Sequence, residues 1–403
     1  MAERVAELRL DANHAIRVVA TESGHRAEPV TYAGAAADRA VAGDGAGFAL
    51  LHRLRTRSAV EEGFRMTVGS WVAVDGETER AMGVDQTHAS WVVGSRVVVK
   101  WMTERLVGPH PAADRLRRLA DAGFAESPTL VGVVEWQVPG SGEWVPVVVA
   151  QEYLPGSDDG WTWALSEARR ALGIEPGQAA EIGGPLGEVV GRMHVALAGP
   201  SAAPLGPDLA RRQADEARHA LDLTVRLLAD HDPESHALLV AHREEVEAVL
   251  SRLQGAAATP AIPLHGDLHV GQVLRDPAGR YAVVDFDGNP TLPADLRAAP
   301  APAAADVATM LVSLENVEHV LRGYHPALTQ EAGLAWTTDV QGRFLESYRL
   351  ALGDRGELYD EALVPAYEWE QVCREFLYAI GHDFVEWLYV PAAAVRRRLA
   401  PEA

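Results

Sequence analysis

An aspartate, a glutamine five residues later and a second aspartate thirteen residues beyond that lie in one short stretch, at Asp267, Gln272 and Asp285. A carboxylate can orient and deprotonate a hydroxyl. An amide oxygen and a second carboxylate can hold Mg²⁺ on ATP, so this trio suits phosphoryl transfer from ATP to an alcohol. The two segments read His265-Gly266-Asp267-Leu268-His269-Val270-Gly271-Gln272 and Val283-Val284-Asp285-Phe286-Asp287.

A β-hairpin would bring them together. Asp276-Pro277-Ala278-Gly279 is a turn sequence, with proline fixing one φ and glycine free to take a positive one. Val273-Leu274-Arg275 and Tyr281-Ala282-Val283-Val284 flank it as β-prone runs. With Arg275 facing Arg280 across a four-residue loop, Asp285 falls opposite Val270, close to Gln272 and Asp267. His265 is expected to brace this loop. His269 either touches substrate or phosphate or packs locally. Asp306 opens the next long helix and reads first as its N-cap, with a bond back to the catalytic loop as the other option.

The rest of the chain must position that hairpin. The 403 residues are 48% hydrophobic, enough for two domains or one large bilobal unit. The net charge of −21 leaves no basic stripe for a phosphate backbone, which argues against nucleic-acid binding. It also means that a nucleotide must be held by local lysine, backbone N–H groups and Mg²⁺, while a cationic substrate is favoured. The single cysteine, Cys373, excludes an intrachain disulfide and reads as an inert core residue. No signal-peptide pattern or membrane-length apolar run is visible, so the cytoplasm is the expected compartment.

Three regions follow. Residues 1–75 look β-rich and carry no chemical motif, as an N-terminal cap subdomain would. Residues 76–155 read as a small β-rich nucleotide-binding lobe with one helix over 114–122. Its clearest hairpin joins Ser90–Val93 to Arg96–Trp101 through Gly94-Ser95. Residues 156–403 are mostly helical and carry the catalytic hairpin and the acceptor site. Strands followed by helices, with a hinge near Gln151–Gly156, give an α+β, bilobal, protein-kinase-like layout.

Lys100 ends a β-branched strand and is expected to pair with the α- and β-phosphates. The preceding polar loop, Asp85 to Ser90, offers Thr87, His88 and Ser90 to cover them. Asp114, or else Glu104, would hold the lysine. Gln151 and Tyr153 lie where backbone groups of a hinge would meet adenine. On the C-terminal helix, Trp369, Cys373, Phe376, Ile380 and Phe384 recur at core spacing. Gln371, Glu375, Tyr378 and His382 form a second stripe able to bind a sugar, and Glu370, Glu375 and Asp383 make this part of the lobe acid-rich.

The Asp267–Gln272 step has the spacing of the protein-kinase H-R-D-x-x-x-x-N, and Asp285-Phe286 that of D-F-G, with Asp287 in place of the glycine. The H-G-D-L-H-x-G-Q run, Asp285-Phe286-Asp287 and Asp306-Val307-Ala308 together resemble the aminoglycoside-phosphotransferase-like kinases. The form is most similar to the branch of actinobacterial maltokinases and glucosamine kinases, as is the Lys100 strand followed by Gly108-Pro109-His110-Pro111. The resemblance spans about residues 85–400 and implies that fold, with an extra N-terminal subdomain. It implies ATP and Mg²⁺ as cofactors, Asp267 as base, Gln272 and Asp285 as Mg²⁺ ligands, and Lys100 on the phosphates. The expected acceptor is the 6-hydroxyl of D-glucosamine, with maltose and an aminoglycoside as alternatives. A nucleotide-binding pseudokinase is the alternative from another class, and a purely structural interaction protein a third.

Overall fold

The structure, a computed structural model, describes residues 3–22, 24–34, 36–83, 88–103, 105–106 and 109–400. Asp85, Gln86, Thr87, Glu104 and Gly108 lie outside the described residues. The chain forms two compact units, Met1–Ser157 and Asp158–Ala403.

Among the described residues the first unit holds two antiparallel sheets. One orders β1 (Arg4–Arg9), β2 (His14–Thr21), β3 (Gly24–Ala33) and β4 (Ala36–Arg39); the helix α1 (Ala46–Thr56) follows. The other orders β5-β10-β11-β8-β7-β6, from β5 (Phe64–Val68), β6 (Glu79–Ala81), β7 (Ala89–Val93), β8 (Val97–Trp101), β10 (Leu130–Gln137) and β11 (Trp144–Glu152). Between β8 and β10 lie β9 (Arg105–Leu106), which pairs with β3, and α2 (Ala112–Asp121). The two sheets share one core. Leu8 and Ile16 from the first, Leu50 and Leu54 from α1, and Trp91, Trp101, Val134 and Trp136 from the second are all buried together. Burying each such leucine stabilises the unit by about 1.5–3 kcal/mol. β5 comes before residue 75 in the chain yet pairs with β10, so the N-terminal region and the strands after residue 75 fold as one body.

The second unit is helical: α3 (Gly160–Ala171), α4 (Gly183–Ala198), α5 (Pro207–His231), α6 (Pro233–Ala241) and α7 (Arg243–Leu250), with the short pair β12 (Ala203–Pro204) and β13 (Pro260–Ala261). The hairpin β14 (Val273–Arg275) and β15 (Tyr281–Val283) follows, then α8 (Ala294–Ala298), α9 (Ala304–Tyr324), α10 (Gln330–Leu352), α11 (Val364–Gly381) and α12 (Tyr389–Leu399). α8 lies within the Ala/Pro-rich stretch before α9, and α9 starts two residues before Asp306.

α9 is buried on every side, from Ala304 through Leu321 almost without a break, so it forms the axis of this unit. α4 lies against α10 at glycine distance. A Cβ at Gly187 would stand 2.1 Å from the Phe344 carbonyl oxygen, and one at Gly191 2.6 Å from the Ala351 Cβ. The Gly183-x₃-Gly187-x₃-Gly191 spacing puts these residues on one face, which lets the two backbones approach and fixes the depth of α4's later residues. On α11, Trp369, Cys373 and Phe376 are buried as their spacing predicts. Phe384 departs from the stripe, because α11 ends at Gly381 and leaves it 41% exposed. Burial pushes the Cys373 thiol up to about 12, which keeps it protonated and inert.

Candidate active site

The catalytic hairpin forms with a register one residue away from the expected one. Arg275 pairs with Tyr281, not Arg280. The cause is Asp276, whose backbone N–H donates to the Arg280 carbonyl and whose side chain accepts from the Ala278 and Arg280 N–H groups. That closes a tighter loop, with Gly279 at φ 83°. The Val284 N–H donates to the Gln272 carbonyl at 2.9 Å, so Asp285 follows directly beside Gln272. Asp285 is exposed and sits at φ 64°, in the left-handed region that an aspartate enters at a cost. The buried Phe286 next to it packs on the His265 ring, 4.8 Å between centroids.

The loop before the hairpin is held from below. The Asp306 carboxylate accepts from the His265 N–H at 2.8 Å, the Gly266 N–H at 2.8 Å and His194 Nε2 at 3.2 Å. Burial would raise Asp306, but the hydrogen bonds from His194 and the loop amide outweigh it and hold the carboxyl below its usual value. Asp306 therefore caps the catalytic loop, not its own helix, whose N-cap is Ala303. With His194 Nε2–H donating to the carboxylate, Nδ1 accepts from the Tyr348 hydroxyl at 2.8 Å. His194 lies on α4 and Tyr348 on α10, so the glycine-spaced helix pair sets the height of the loop.

His265 braces the loop as expected: Nε2 lies 2.8 Å from the Val284 carbonyl and Nδ1 accepts from the Asp267 N–H at 3.3 Å. His269 caps the single turn Val270–Gln272, accepting from the Gly271 N–H, with Nε2 3.4 Å from Gln272 Nε2. Burial, helped by the neighbouring His265, pushes its pKa down to about 4, so the ring is neutral near pH 7. Gly160 opens α3 against this turn; a Cβ there would fall 1.5 Å from the Val270 carbonyl oxygen. Asp267 accepts from Asn289 Nδ2 at 3.2 Å, a contact with no counterpart in the motif pattern.

Along α11 the candidates separate. Glu370 Oε1 is bound by Arg374 at 2.6 and 2.9 Å, so its charge is already matched. Asp383 lies past the helix end, exposed, at φ 57°. Tyr378 stacks on His382 at 4.2 Å and stays 43% exposed. Glu375 accepts from Asn316 Nδ2 at 2.8 Å and Gln371 Nε2 at 3.3 Å. Its Oε2 and the Asn316 Oδ1 are buried without a hydrogen-bond partner among the described residues. Burial pushes Glu375 up to about 7.

In the first unit, Lys100 and Ser90 are direct cross-strand partners on β8 and β7, and β11 flanks Lys100 with Val149. Lys100 and Ser90, two of the four residues expected at the phosphates, thus stand side by side, with His88 just before β7. Asp114 does not fill its expected place. It lies in the first turn of α2, 56% exposed, and pairs with Arg118 at 2.7 Å, four residues on. Gln151, one residue before the end of β11, pairs with Val98 and has a buried Nε2 with no partner among the described residues. The Tyr153 hydroxyl accepts from Arg80 at 3.1 Å, and the Tyr153 N–H donates to the Arg96 carbonyl.

Among the described residues no group of three or more His, Cys, Asp or Glu side chains could hold a metal. Mg²⁺ bound with a nucleotide takes only one or two protein carboxylates beside phosphate oxygens and water, so Asp285 and the Gln272 amide oxygen are a fitting donor set. No helix among the described residues is long and apolar enough to cross a membrane.

Known proteins resemble this chain in sequence and fold. Residues 83–337 match the phosphotransferase enzyme family. The chain is 39% identical over 394 residues to a glucosamine kinase of Mycolicibacterium smegmatis (strain ATCC 700084 / mc(2)155), covering 96% of both chains. It is 38% identical over 400 residues to a glucosamine kinase of Streptacidiphilus jiangxiensis, covering 95% of this chain and 90% of that one. A solved glucosamine kinase in complex with glucosamine, ADP and inorganic phosphate superimposes with TM-score 0.85 at 34% identity, over 99% of this chain and 94% of that one. The chain belongs to the phosphotransferase enzyme family, on the branch that carries the actinobacterial glucosamine kinases, and it is a sugar kinase.

Proposed function

We propose that this kinase transfers the γ-phosphoryl group of ATP to the 6-hydroxyl of D-glucosamine. The observation that carries the amino-sugar reading is the pair of unpartnered acceptors, Asn316 Oδ1 and Glu375 Oε2. Two buried oxygens without donors are costly, and an ammonium group supplies three N–H donors and a charge opposite to the carboxylate. A neutral hydroxyl supplies a donor but no charge. The names and contents of the relatives support the same acceptor and nucleotide.

Asp267 takes the proton of the acceptor hydroxyl and aligns its oxygen with the γ-phosphorus. Gln272 and Asp285 would hold Mg²⁺, which when bound neutralises charge on the β- and γ-phosphate oxygens. Lys100 pairs with the α- and β-phosphates. Ser90 and His88 would meet the phosphates, and the backbone from Gln151 to Tyr153 the adenine. Positioning and charge neutralisation supply most of the rate.

The test is an acceptor panel with coupled detection of ADP, run with and without chelation of the divalent metal. Glucosamine is expected to turn over, N-acetylglucosamine to lose most of its affinity, and chelation to abolish the reaction. Strong turnover of maltose or an aminoglycoside with none of glucosamine would reject the proposed acceptor.

A further inference from the structure

Asp267 receives a hydrogen bond whose direction is fixed by a chain of side chains reaching α11. The Asn289 Oδ1 accepts from two donors, the Thr291 N–H at 2.9 Å and the Thr291 Oγ1–H at 2.6 Å. Its amide is therefore oriented with Nδ2 towards Asp267, and a flip would set oxygen against oxygen. The Thr291 hydroxyl gives its proton to Asn289, so it must accept from Arg374 Nη1, which lies at 3.2 Å. Arg374 is 3% exposed and is itself anchored by Glu370, with Glu216 3.6 Å away. The Asn289 backbone N–H closes the loop by donating to the Gly266 carbonyl. Every side-chain bond runs donor to acceptor from Arg374 through Thr291 and Asn289 to Asp267, so each link polarises the next in the same sense.

We infer that Asn289 is a positioning residue for phosphoryl transfer, and that Thr291 and Arg374 set its orientation so that one Asp267 oxygen is held and the carboxylate plane is fixed towards the acceptor hydroxyl. This rests on the assignment of Asp267 as the base. An amide suits this role because it restrains the carboxylate without the full positive charge that would weaken it as a base. Arg374 precedes Glu375 on α11, so the helix that carries the proposed ammonium contact also anchors the relay.

The experiment compares Asn289→Asp, Asn289→Ala, Thr291→Ser and Thr291→Val with Asp267→Asn, reading kcat, KM for both substrates and thermal stability. Asn289→Asp keeps both acceptor bonds to Thr291 and nearly the same shape, but turns an oxygen towards Asp267. Its kcat is expected to fall about tenfold to a hundredfold with both KM values held, in the range known for small misplacement of a reacting group. Thr291→Ser should keep the wild-type rate and Thr291→Val should lose part of it. An Asn289→Asp enzyme with wild-type kcat, or a Thr291→Val enzyme equal to Thr291→Ser, would overturn the relay. If Asp267→Asn is itself fully active, the base assignment fails instead.

Discussion

The loop around Asp267 and the α11 face around Glu375 treat their buried polar atoms in opposite ways. Beneath the loop, two backbone N–H groups and the His194 ring all find an acceptor in Asp306, and His194 finds its second partner in Tyr348. On α11, Glu375 and Asn316 each keep one oxygen with no partner among the described residues. The first region is complete without a ligand, so its geometry is fixed before substrate arrives. The second keeps two acceptor oxygens without a donor among the described residues, so a ligand that brought donors would satisfy them. Under the proposed function, rigidity would sit where atoms react and unsatisfied hydrogen-bonding capacity where the acceptor is chosen.

If that contrast is right, the largest effect comes from emptying the brace. Asp306→Ala leaves three buried donors without an acceptor, each worth about 1–3 kcal/mol, and should cost roughly 3–5 kcal/mol of stability in chemical denaturation. A variant as stable as the parent would show that the brace is not what holds the loop.

Next comes the chemistry itself. Asp267→Asn should lower kcat at least about a hundredfold while ATP still binds, the usual scale for removing a general base. Nucleotide binding is read by thermal shift. An unchanged rate would remove Asp267 from its role and leave the complete region without a catalytic purpose.

The acceptor face is expected to answer more mildly and on the other parameter. Glu375→Gln should raise KM for glucosamine about tenfold with kcat nearly kept, since the charge is lost equally from the bound ground state and from the transition state. The pH dependence follows from a carboxyl raised to about 7. In the folded protein Glu375 holds its proton to higher pH than in the unfolded chain, so it lowers stability progressively as pH rises from about 4.5 through 7. Glu375→Gln should thus gain stability over the parent at pH 8 and little at pH 4. Glucosamine affinity in the parent should weaken below pH 7, where the carboxylate is protonated. The same KM profile in both proteins would mean that another group meets the amine.

The division of labour also explains what was legible in the chain. Asp267, Gln272 and Asp285 could be read because their spacing is local and the hairpin joins them whatever surrounds it. The register slipped by one residue because Asp276 bonds across the turn, a choice between two loop closures that turn residues alone do not decide. Asp306 was visible as a polar residue at a helix start, but its partners are forty residues away and only tertiary packing aims it at the loop. His194 and Tyr348 escaped notice, although Gly183, Gly187 and Gly191 announce a face of α4 able to approach another helix. Asn289 gave no signal at all, since its role depends on which way its amide faces. On α11 the stripe marked Glu375 with Gln371, Tyr378 and His382, while acid content alone pointed equally to Glu370 and Asp383, and only the third dimension shows Arg374 neutralising one and the helix end releasing the other.

The smallest effect expected lies at the far end of the brace, and it asks how far completeness must reach. Tyr348 is fully buried and its hydroxyl meets His194 Nδ1 at 2.8 Å; burial pushes its pKa well above the usual tyrosine value, so it remains a donor at any working pH. Tyr348→Phe keeps the ring stacked beside Phe344 and the tight α4–α10 approach, but leaves one imidazole nitrogen without a donor. The cost should be about 1 kcal/mol of stability, the ordinary net value of one buried hydrogen bond. Because His194 still reaches Asp306 through Nε2, kcat should stay within about twofold of the parent. A hundredfold fall in kcat from this substitution would mean that the ring's tautomer governs Asp306, and through it the loop. The brace would then be part of catalysis and not only its support.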